Sequence, residues 1–305
     1  MEPIILDGKA YADEICDKLR VTVSGRMANS PRLERPELTI VSTGNDGASA
    51  VYLRNKINRC IQIGIDITHR HYSSIDQSEI ESLCCKNCPI IFQLPIFSNA
   101  VDITYIITKN MQSYPESDVD GIFSYENIAN LYTGSHAPLN IPCTAIGIIK
   151  LLKHYNIEMC GKVVCVIGRS NIVGRPTAQL FENENATVIK CNSYTPKNTL
   201  MQMVGAADII VSAVGRANFI TMLDLAECMP DRGQRLDISK KVIVDVGMNR
   251  DSDGKLCGDI PQNVKDHCYA YTPVPGGVGP MTVAMLMWNT VNMWSRKTGA
   301  FTVDV

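Results

Sequence analysis

The residues best suited to chemistry begin with Tyr52 and Lys56, which stand four apart in the stretch YLRNK. The surrounding segment, ASAVYLRNKINRCIQIG, has the pattern of a helix, and residues four apart on a helix share one face. The sequence therefore predicts an aromatic ring beside an amine. Gln93 lies in an apolar run, IIFQLPI, where a buried amide either finds partners in the core or lines a binding site.

A second group of candidates lies in the stretch SDVDGI, where Asp118 and Asp120 precede Gly121. Alternating acids beside a glycine are typical of a solvated turn, and we interpret Asp118 in that way. Asp120 remains a candidate for binding or catalysis.

The elements that must position these residues follow an alternating pattern. Strand-like runs such as PELTIVSTG, IDITHRHY and PIIFQLPI are separated by helical segments, which indicates right-handed crossovers and a parallel sheet. From about Thr144 a second series begins, in which GKVVCVIGRSNIVGRPTAQLFENENATVIKCNS predicts strand, glycine turn, helix and strand. Two further strand-like runs, AADIIVSAVG and KKVIVDVGM, end at glycine. The predicted fold is α/β, with two domains flanking a cleft, the C-terminal one a Rossmann-like doubly wound parallel sheet.

The domain boundaries follow from the last helix. The apolar helix in VGPMTVAMLMWNTVNMWSRK lies too far from the last predicted strand to be its obvious partner, so we expect it to return to the first domain. The prediction is a substrate-binding catalytic domain at 1–145 plus 281–305 and a dinucleotide-binding domain at 146–280.

Composition indicates an ordinary globular protein. The chain has 305 residues, of which 45% are hydrophobic and 20% charged, and its net charge of −2 argues against nucleic acid or an anionic membrane as a general partner. No apolar run approaches the roughly 20 residues that span a bilayer. Because the N-terminus lacks a basic leader followed by a long apolar core, we expect a cytoplasmic location.

The 12 cysteines are scattered through apolar segments, which favours free buried thiols in a reducing compartment. The cluster CCKNC contains a C-x-x-C spacing at Cys85 and Cys88, but a structural zinc site needs a second ligand pair and none follows at suitable spacing. His69 and His71 are expected on the surface. We predict no metal site.

The glycine turn IGRSNIVGRP indicates a dinucleotide site and favours NADP. Gly168 ends a buried strand and Gly174 opens a helix, so backbone N–H groups and the helix N-terminus can approach a pyrophosphate. NAD-binding folds usually place an acid after the second strand, where it binds the ribose 2′-hydroxyl. Here that strand is followed by Asn192-Ser193-Tyr194-Thr195, without a carboxylate. Arg169 could face a 2′-phosphate, and Ser193 could donate a hydrogen bond to it.

Six motifs together resemble one family. The motifs DGASAVYLRNK, QLPI, DVDG, PCTAIG, GRSNIVGRP and TPVPGGVGPMTVAML occur in this order across nearly the whole chain. In this the sequence resembles the bifunctional methylenetetrahydrofolate dehydrogenase/methenyltetrahydrofolate cyclohydrolases. The resemblance implies oxidation of 5,10-methylenetetrahydrofolate with NADP, hydrolysis of the product to 10-formyltetrahydrofolate, and a homodimer formed through the nucleotide domain.

The resemblance also implies roles for individual residues. Lys56 matches a catalytic lysine, since an amine partly shielded from water can transfer protons near neutral pH. Gln93 matches its hydrogen-bonding partner, Asp120 the acid that pairs with the pterin, and Tyr52 the ring that packs on the aminobenzoyl group. The full prediction is catalysis by Lys56, Gln93 and Asp120, substrate binding by Tyr52, Lys56, Gln93, Leu94, Asp120, Pro275, Gly276 and Gly279, and cofactor binding by Thr144, Gly168, Arg169, Ser170, Val173, Ser193, Met248 and Gly279.

Some positions depart from the family pattern. Ser117 replaces a basic residue, Ala145 a proline and Asn192 a histidine, and the last change is expected to weaken one cofactor phosphate contact. Met248 stands where isoleucine is usual, and the segment from 229 to 241 looks longer than the usual loop. None of these changes touches Lys56, Gln93 or Asp120.

Three alternatives to the bifunctional enzyme were weighed. YLRNK also fits the Y-x-x-x-K of short-chain dehydrogenases, but in those enzymes the motif follows the glycine turn, whereas Tyr52 precedes Gly168 by more than a hundred residues. A nucleotide-binding protein without catalysis is expected to have lost the lysine or the acid, and this chain has both. A dehydrogenase without cyclohydrolase activity is the third alternative.

Overall fold

A computed structural model describes residues 2–30, 32–44, 47–84, 86–98, 102–134, 140–227, 236–299 and 303–305, and it leaves the side chains of 47–52 and 227 undescribed. The chain divides into two compact units. The six-stranded unit comprises Met1–Tyr11 and Thr144–Thr282, and the three-stranded unit comprises Ala12–Cys143 and Val283–Val305. Each unit is described separately below.

The elements are as follows in chain order. The strands are β1 (Ile4–Ile5), β2 (Glu37–Thr43), β3 (Asp66–Tyr72), β4 (Ile90–Phe92), β5 (Val163–Ile167), β6 (Thr187–Cys191), β7 (Ile209–Ser212), β8 (Val242–Asp245), β9 (Asn249–Arg250), β10 (Leu256–Cys257) and β11 (Ala270–Tyr271). The helices are α1 (Gly8–Asn29), α2 (Gly47–Ile63), α3 (Gln77–Cys84), α4 (Ile103–Met111), α5 (Tyr125–Thr133), α6 (Cys143–His154), α7 (Gly174–Asn183), α8 (Lys197–Ala206), α9 (Met222–Glu227), α10 (Gln262–Lys265) and α11 (Val278–Lys297). A short 3-10 helix spans Pro115–Ser117.

The sheet of the six-stranded unit is parallel throughout the described residues, with the strand order β1-β11-β8-β7-β5-β6. After β5 the chain forms β6 on one side, then crosses to form β7 on the other side of β5. This reversal is the topological switch of a doubly wound sheet, and ligands bind at the carboxyl ends of the strands beside it. The predicted Rossmann-like fold is confirmed, and the glycine turn follows β5, the strand at the switch.

Burial explains why these strands are so apolar. Every residue of β7 and β8 is buried, as expected for a parallel sheet covered on both faces. The core on one face combines β5 and β7 residues such as Cys165 and Ile210 with α8 residues such as Leu200 and Val204. The carboxyl ends of the strands are therefore fixed by a packed layer.

The three-stranded unit contains a parallel sheet with the strand order β3-β2-β4. Val41 and Phe92 are neighbours in the register of β2 and β4, and both pack with Ile80 of α3 and Ile107 of α4. Capping residues set the ends of the next helices. Asp102 accepts a hydrogen bond from the N–H of Tyr105 at the start of α4, and Ser124 does the same for Asn127 at the start of α5. α5 then ends at Gly134, which has a φ of 64°.

The N-terminus differs from the predicted domain ranges. Residues 1–11 were placed with the catalytic domain, but β1 pairs with β11 at the edge of the six-stranded sheet. The N–H of Leu6 extends the pairing to the carbonyl of Tyr271 at 2.8 Å. A two-residue strand that pairs with the distant end of the chain leaves no periodic pattern in the sequence, which explains the difference.

Two expectations from composition can be compared with the described residues. Their ten cysteines carry free thiols, most of them buried, as predicted. α3 ends at Cys84 and β4 begins at Ile90, whereas Cys85 of the C-x-x-C spacing lies outside the described residues.

Within the described ranges, none of the helices has the length and apolar character needed to cross a membrane. Residues 228–235, in the segment predicted to be longer than usual, also lie outside them.

Candidate active-site residues

The amine of Lys56 and the amide of Gln93 form the contact that the family resemblance implied. Lys56 lies on α2, and its Nζ donates a hydrogen bond of 2.8 Å to Oε1 of Gln93. Gln93 follows β4 directly, and its backbone N–H extends the sheet by bonding the carbonyl of Val41 at 2.8 Å. Its Nε2 donates to the carbonyl of Leu94 at 3.2 Å. With its amide nitrogen engaged on Leu94, Gln93 presents its oxygen to the amine.

Tyr52 remains a prediction. α2 includes position 52, four residues before Lys56, but the Tyr52 side chain lies outside what the structure describes. The shared face of Tyr52 and Lys56 therefore stays a prediction from their spacing.

The loop that presents Asp120 is organised by Asp118, and here the sequence interpretation was wrong. Asp118 is 1% exposed rather than solvated. Its Oδ1 accepts a hydrogen bond from the N–H of Gly121 at 3.0 Å, and its Oδ2 accepts from the N–H groups of Phe123 and Ser124, both at 2.8 Å. Burial raises the pKa of the Asp118 carboxyl, and the donors at Ser124 and Phe123 oppose this shift. The carboxylate of Asp118 therefore accepts hydrogen bonds from backbone N–H groups of the loop that would otherwise need water as their acceptor.

Two buried asparagines complete this loop. The Nδ2 of Asn140 donates to the carbonyl of Asp118 at 3.0 Å, and the Nδ2 of Asn289, on α11, donates to the carbonyl of Val119 at 2.8 Å. Gly121 has a φ of 73°, and a Cβ there would meet the backbone of Ile141 at 2.7 Å. The backbone from Asp118 to Gly121 is therefore fixed by hydrogen bonds from Asn140 and Asn289 and by its close approach to Ile141.

Cys143 links Asp120 to Lys56 electrostatically. Its N–H donates to the carbonyl of Asp120 at 3.3 Å, and its thiol is 1% exposed. Burial raises the pKa of the Cys143 thiol well above its ordinary value, the charge of Asp120 raises it further, and the charge of Lys56 opposes the shift. Both charges therefore influence the pKa of one buried thiol at the start of α6. Nothing in the sequence marks Cys143 except its position at the start of α6.

In the six-stranded unit, the predicted glycine turn has the geometry of a phosphate cradle. Gly168 has a φ of 131°, and a Cβ there would meet the carbonyl oxygen of Ala213 at 2.5 Å. A Cβ on Gly174 would meet the carbonyl oxygen of Gly168 at 2.3 Å, so only glycine allows α7 to start this close to the turn. Ser170 Oγ accepts hydrogen bonds from the N–H groups of Val173 and Gly174 at 3.1 and 3.3 Å. The turn thus leads directly into a helix N-terminus.

The end of β6 lies beside this turn. The N–H of Gly168 donates to the carbonyl of Cys191 at 2.9 Å, which ties the end of β5 to the end of β6. Arg169 and Ser193, the predicted 2′-phosphate ligands, are exposed and follow these two strands. The guanidinium of Arg169 lies 5.3 Å from the ring centroid of Tyr194. Tyr194 was not among the predicted site residues.

The remaining predicted residues of this unit lie in one loop and in the first turns of two helices. Pro275 is exposed, Gly276 has a φ of 112°, and its carbonyl accepts a hydrogen bond from the N–H of Lys9 at 2.8 Å. Gly279 lies in the first turn of α11. The Oγ1 atoms of Thr144 and Thr282 are 3.1 Å apart.

Met248 follows β8 in a loop fixed by two carboxylates that sequence reasoning missed. Asp259 is fully buried and holds the loops after β7 and β8 together. Its partners are Ser212 Oγ at 2.9 Å, the N–H groups of Val214, Gly215 and Arg216 at 2.8, 3.3 and 2.9 Å, and Asn249 Nδ2 at 3.0 Å. Asp245, 1% exposed, pairs with Lys265 at 2.7 Å. The only sequence signal was an acid beside glycine in DVGMN and CGDI.

The chain matches two protein-family models. Residues 6–120 match the tetrahydrofolate dehydrogenase/cyclohydrolase catalytic domain, and residues 142–298 match the NAD(P)-binding domain of the same family. A curated relative, the bifunctional protein FolD of Dechloromonas aromatica, is 38% identical over 97% of this chain and 98% of its own length.

Solved structures of the same kind superimpose on the chain. The bifunctional methylenetetrahydrofolate dehydrogenase/cyclohydrolase of Campylobacter jejuni is 32% identical with a TM-score of 0.83, covering 96% of this chain and 99% of its own. The dehydrogenase-cyclohydrolase of Trypanosoma brucei, complexed with NADP cofactor and an inhibitor, is 30% identical with a TM-score of 0.86, covering 98% and 100%.

Proposed function

The chain belongs to the tetrahydrofolate dehydrogenase/cyclohydrolase family, and we propose that it performs both reactions on one folate. It oxidises 5,10-methylenetetrahydrofolate to 5,10-methenyltetrahydrofolate with NADP and then hydrolyses that product to 10-formyltetrahydrofolate. The observation that carries this proposal is the 2.8 Å contact of Lys56 with Gln93, in the same unit as Asp120. An amine, an amide and a carboxylate are the groups that the hydrolysis and the pterin require.

Hydrolysis is the step in which Lys56 acts on protons. Water adds to the bridging carbon of the methenyl cation, the bond from that carbon to N5 breaks, N5 gains a proton and one proton is released. We assign to Lys56 the transfer of the proton from the attacking water. Gln93 accepts a hydrogen bond from the ammonium, so its amide fixes where Nζ lies. The fixed amine can then serve as base and acid at one carbon.

Substrate binding is assigned to the groups around this amine. Asp120 would accept two hydrogen bonds from the amidine-like edge of the pterin, a geometry suited to a carboxylate. The ring of Tyr52 would pack on the aminobenzoyl group. Leu94, Pro275, Gly276 and Gly279 keep their predicted role in lining the substrate site.

The six-stranded unit fits a dinucleotide. Gly168 and Gly174 leave space that a Cβ would fill, and α7 begins there, so the helix dipole favours an anion beside the turn. The described turn after β6 offers Ser193 and no carboxylate, which supports a phosphate on the ribose rather than a hydroxyl. Bound NADP would accept the hydride from the bridging carbon. The chain's own residues Thr144, Arg169, Ser170, Val173 and Met248 are assigned to hold and orient it.

The proposal is tested by an assay with purified protein and 5,10-methylenetetrahydrofolate, run separately with NADP and NAD. We expect NADPH to form, 10-formyltetrahydrofolate to accumulate, and kcat/KM with NADP to exceed that with NAD. Chromatography of the folates and NADPH absorbance measure the two products. Absence of folate turnover with either cofactor would refute the function.

The variant Arg169→Ala tests the preference for NADP over NAD in the same assay. Loss of a charge-assisted contact costs about 1.5–3 kcal/mol, so KM for NADP should rise by about 10- to 100-fold, while KM for NAD stays within about twofold. Lys190→Ala is the matched control, because Lys190 is an exposed cation of β6 that pairs with Glu182 at 3.5 Å. An equal loss with both cofactors would contradict the role of Arg169.

Three further assignments extend the proposal. We assign substrate binding to 1–145 plus 281–305 and cofactor binding to 146–280, except that β1 belongs to the sheet of the six-stranded unit and Lys9 bonds the carbonyl of Gly276 there. By analogy with the family, the protein forms a homodimer through its nucleotide domain. Light scattering, which measures the molar mass in solution, tests for the dimer. The many free thiols fit a reducing compartment such as the cytoplasm.

A further inference from the structure

An exposed tyrosine covers the arginine that we assign to the cofactor's ribose phosphate. The guanidinium carbon of Arg169 lies 5.3 Å from the ring centroid of Tyr194, within the range of a cation–π contact. Tyr194 is 81% exposed, so its ring contributes little to any core. A large aromatic side chain in that setting is better explained by what it touches than by packing.

The backbone determines where this ring stands. The N–H of Tyr194 donates to Oδ1 of Asn192 at 2.9 Å, and the N–H of Thr195 donates to the carbonyl of Asn192 at 2.9 Å. The N–H of Asn192 in turn donates to Oγ1 of Thr195 at 3.0 Å. These three bonds close a compact turn after β6. The backbone of Tyr194 is therefore fixed by its own turn, and the ring extends from it beside Arg169.

The same turn contains Ser193 and adjoins Arg169. Because Gly168 is bonded to the carbonyl of Cys191, the residues after β5 and the residues after β6 stand side by side. An arginine free in solvent samples many rotamers and must lose them when it binds a phosphate. A ring that stacks on the guanidinium restricts those rotamers in advance. Unlike a carboxylate partner, the ring leaves the positive charge of Arg169 available to an anion.

We propose that Tyr194 is a positioning residue for cofactor specificity, which holds Arg169 in the orientation that meets the 2′-phosphate of the adenosine ribose. This proposal rests on the NADP preference proposed above. It makes the preference depend on an aromatic ring that does not itself contact the phosphate. The ring and the guanidinium thereby act as one unit.

The test substitutes Tyr194 with leucine and with phenylalanine and measures kcat and KM for NADP and NAD. Tyr194→Leu keeps an apolar side chain but removes the ring, so we expect KM for NADP to rise about 2- to 5-fold, the effect of an exposed cation–π contact. KM for NAD and both kcat values should stay within about 1.5-fold, on the order of a neutral surface change. Tyr194→Phe keeps the ring and should retain the wild-type KM for NADP.

A double-mutant cycle separates this proposal from the proposed function. In the Arg169→Ala background, Tyr194→Leu should change nothing further, because its effect acts through the missing guanidinium. The same rise in that background, or an equal rise for NAD, would show that the ring acts independently and would overturn the proposal. If Arg169→Ala lowers NADP preference but Tyr194→Leu is silent, the proposal fails and the proposed function stands. If Arg169→Ala leaves the preference unchanged, the role of Arg169 and the proposal for Tyr194 both fail, while the proposed function is decided by the folate assay.

Discussion

Replacing Lys56 with methionine is expected to remove the cyclohydrolase activity while part of the dehydrogenase activity survives. Methionine keeps an unbranched side chain but has no amine to transfer protons. Positioned acid–base catalysis contributes about 10²- to 10⁴-fold, so hydrolysis of 5,10-methenyltetrahydrofolate should fall by at least about 100-fold. Hydride transfer depends mainly on orientation of the two ligands and should fall less. Disappearance of the methenyl compound and formation of NADPH measure the two rates separately.

The control for Lys56 lies on the same helix. Arg54 is an exposed cation of α2, and Arg54→Met should change neither rate by more than about twofold, as is usual for a surface substitution. If Lys56→Met hydrolysed the methenyl compound at the wild-type rate, the proton-transfer role would be wrong. If both activities disappeared together, Lys56 would be needed for folate binding rather than for hydrolysis.

Replacing Asp118 with alanine is expected to destabilise the protein by about 3–5 kcal/mol. The change leaves the N–H groups of Gly121, Phe123 and Ser124 buried without an acceptor, each at a cost of about 1–3 kcal/mol. Part of that cost is offset because a buried carboxylate no longer has to be desolvated. Asp118→Asn should lose less, since one oxygen remains. Urea unfolding followed by tryptophan fluorescence measures the effect, because both tryptophans of the chain, Trp288 and Trp294, lie in α11 within the three-stranded unit.

Asp120→Ala is the matched comparison two residues away. Asp120 is partly exposed, so its removal should change the free energy of unfolding by less than about 1 kcal/mol. It should nevertheless weaken folate binding strongly, because the pterin loses its acceptor. A stable Asp118→Ala protein, or an Asp120→Ala protein that unfolds as easily as Asp118→Ala, would contradict this division between a structural and a binding acid.

Local patterns were enough to predict the sheet, whereas the pairing of Lys56 with Gln93 was implied by the resemblance to a family. Alternating strand-like and helical runs around the glycine turn predicted the doubly wound order because each crossover joins neighbours along the chain. Periodicity marked Lys56 only as a neighbour of Tyr52 on a helix face, and Gln93 only as a polar residue in an apolar strand. Their contact at 2.8 Å, which the family resemblance implied, shows that α2 and the end of β4 are adjacent.

Residues whose role depends on distant backbone groups were missed. Asp118 has the sequence appearance of a solvated turn. In the structure its carboxylate accepts hydrogen bonds from N–H groups that follow Asp118 in the chain, and Asn140 donates to its backbone carbonyl. Asp259 is similar, since its partners come from the ends of β7 and β8. In the sequence, Tyr194 is recognisable only as a member of a turn without carboxylates, because no sequence pattern places its ring beside Arg169. Polar networks of this kind leave no period in the sequence.

The central claim is that the Lys56 amine meets the one-carbon bridge of a folate, and a crystal structure with a bound folate analogue tests it most directly. We predict that Nζ lies about 3–3.5 Å from the bridging position, with Gln93 still in contact and Asp120 on the pterin. A folate bound elsewhere on the chain, with the Lys56 ammonium directed into solvent, would contradict the account.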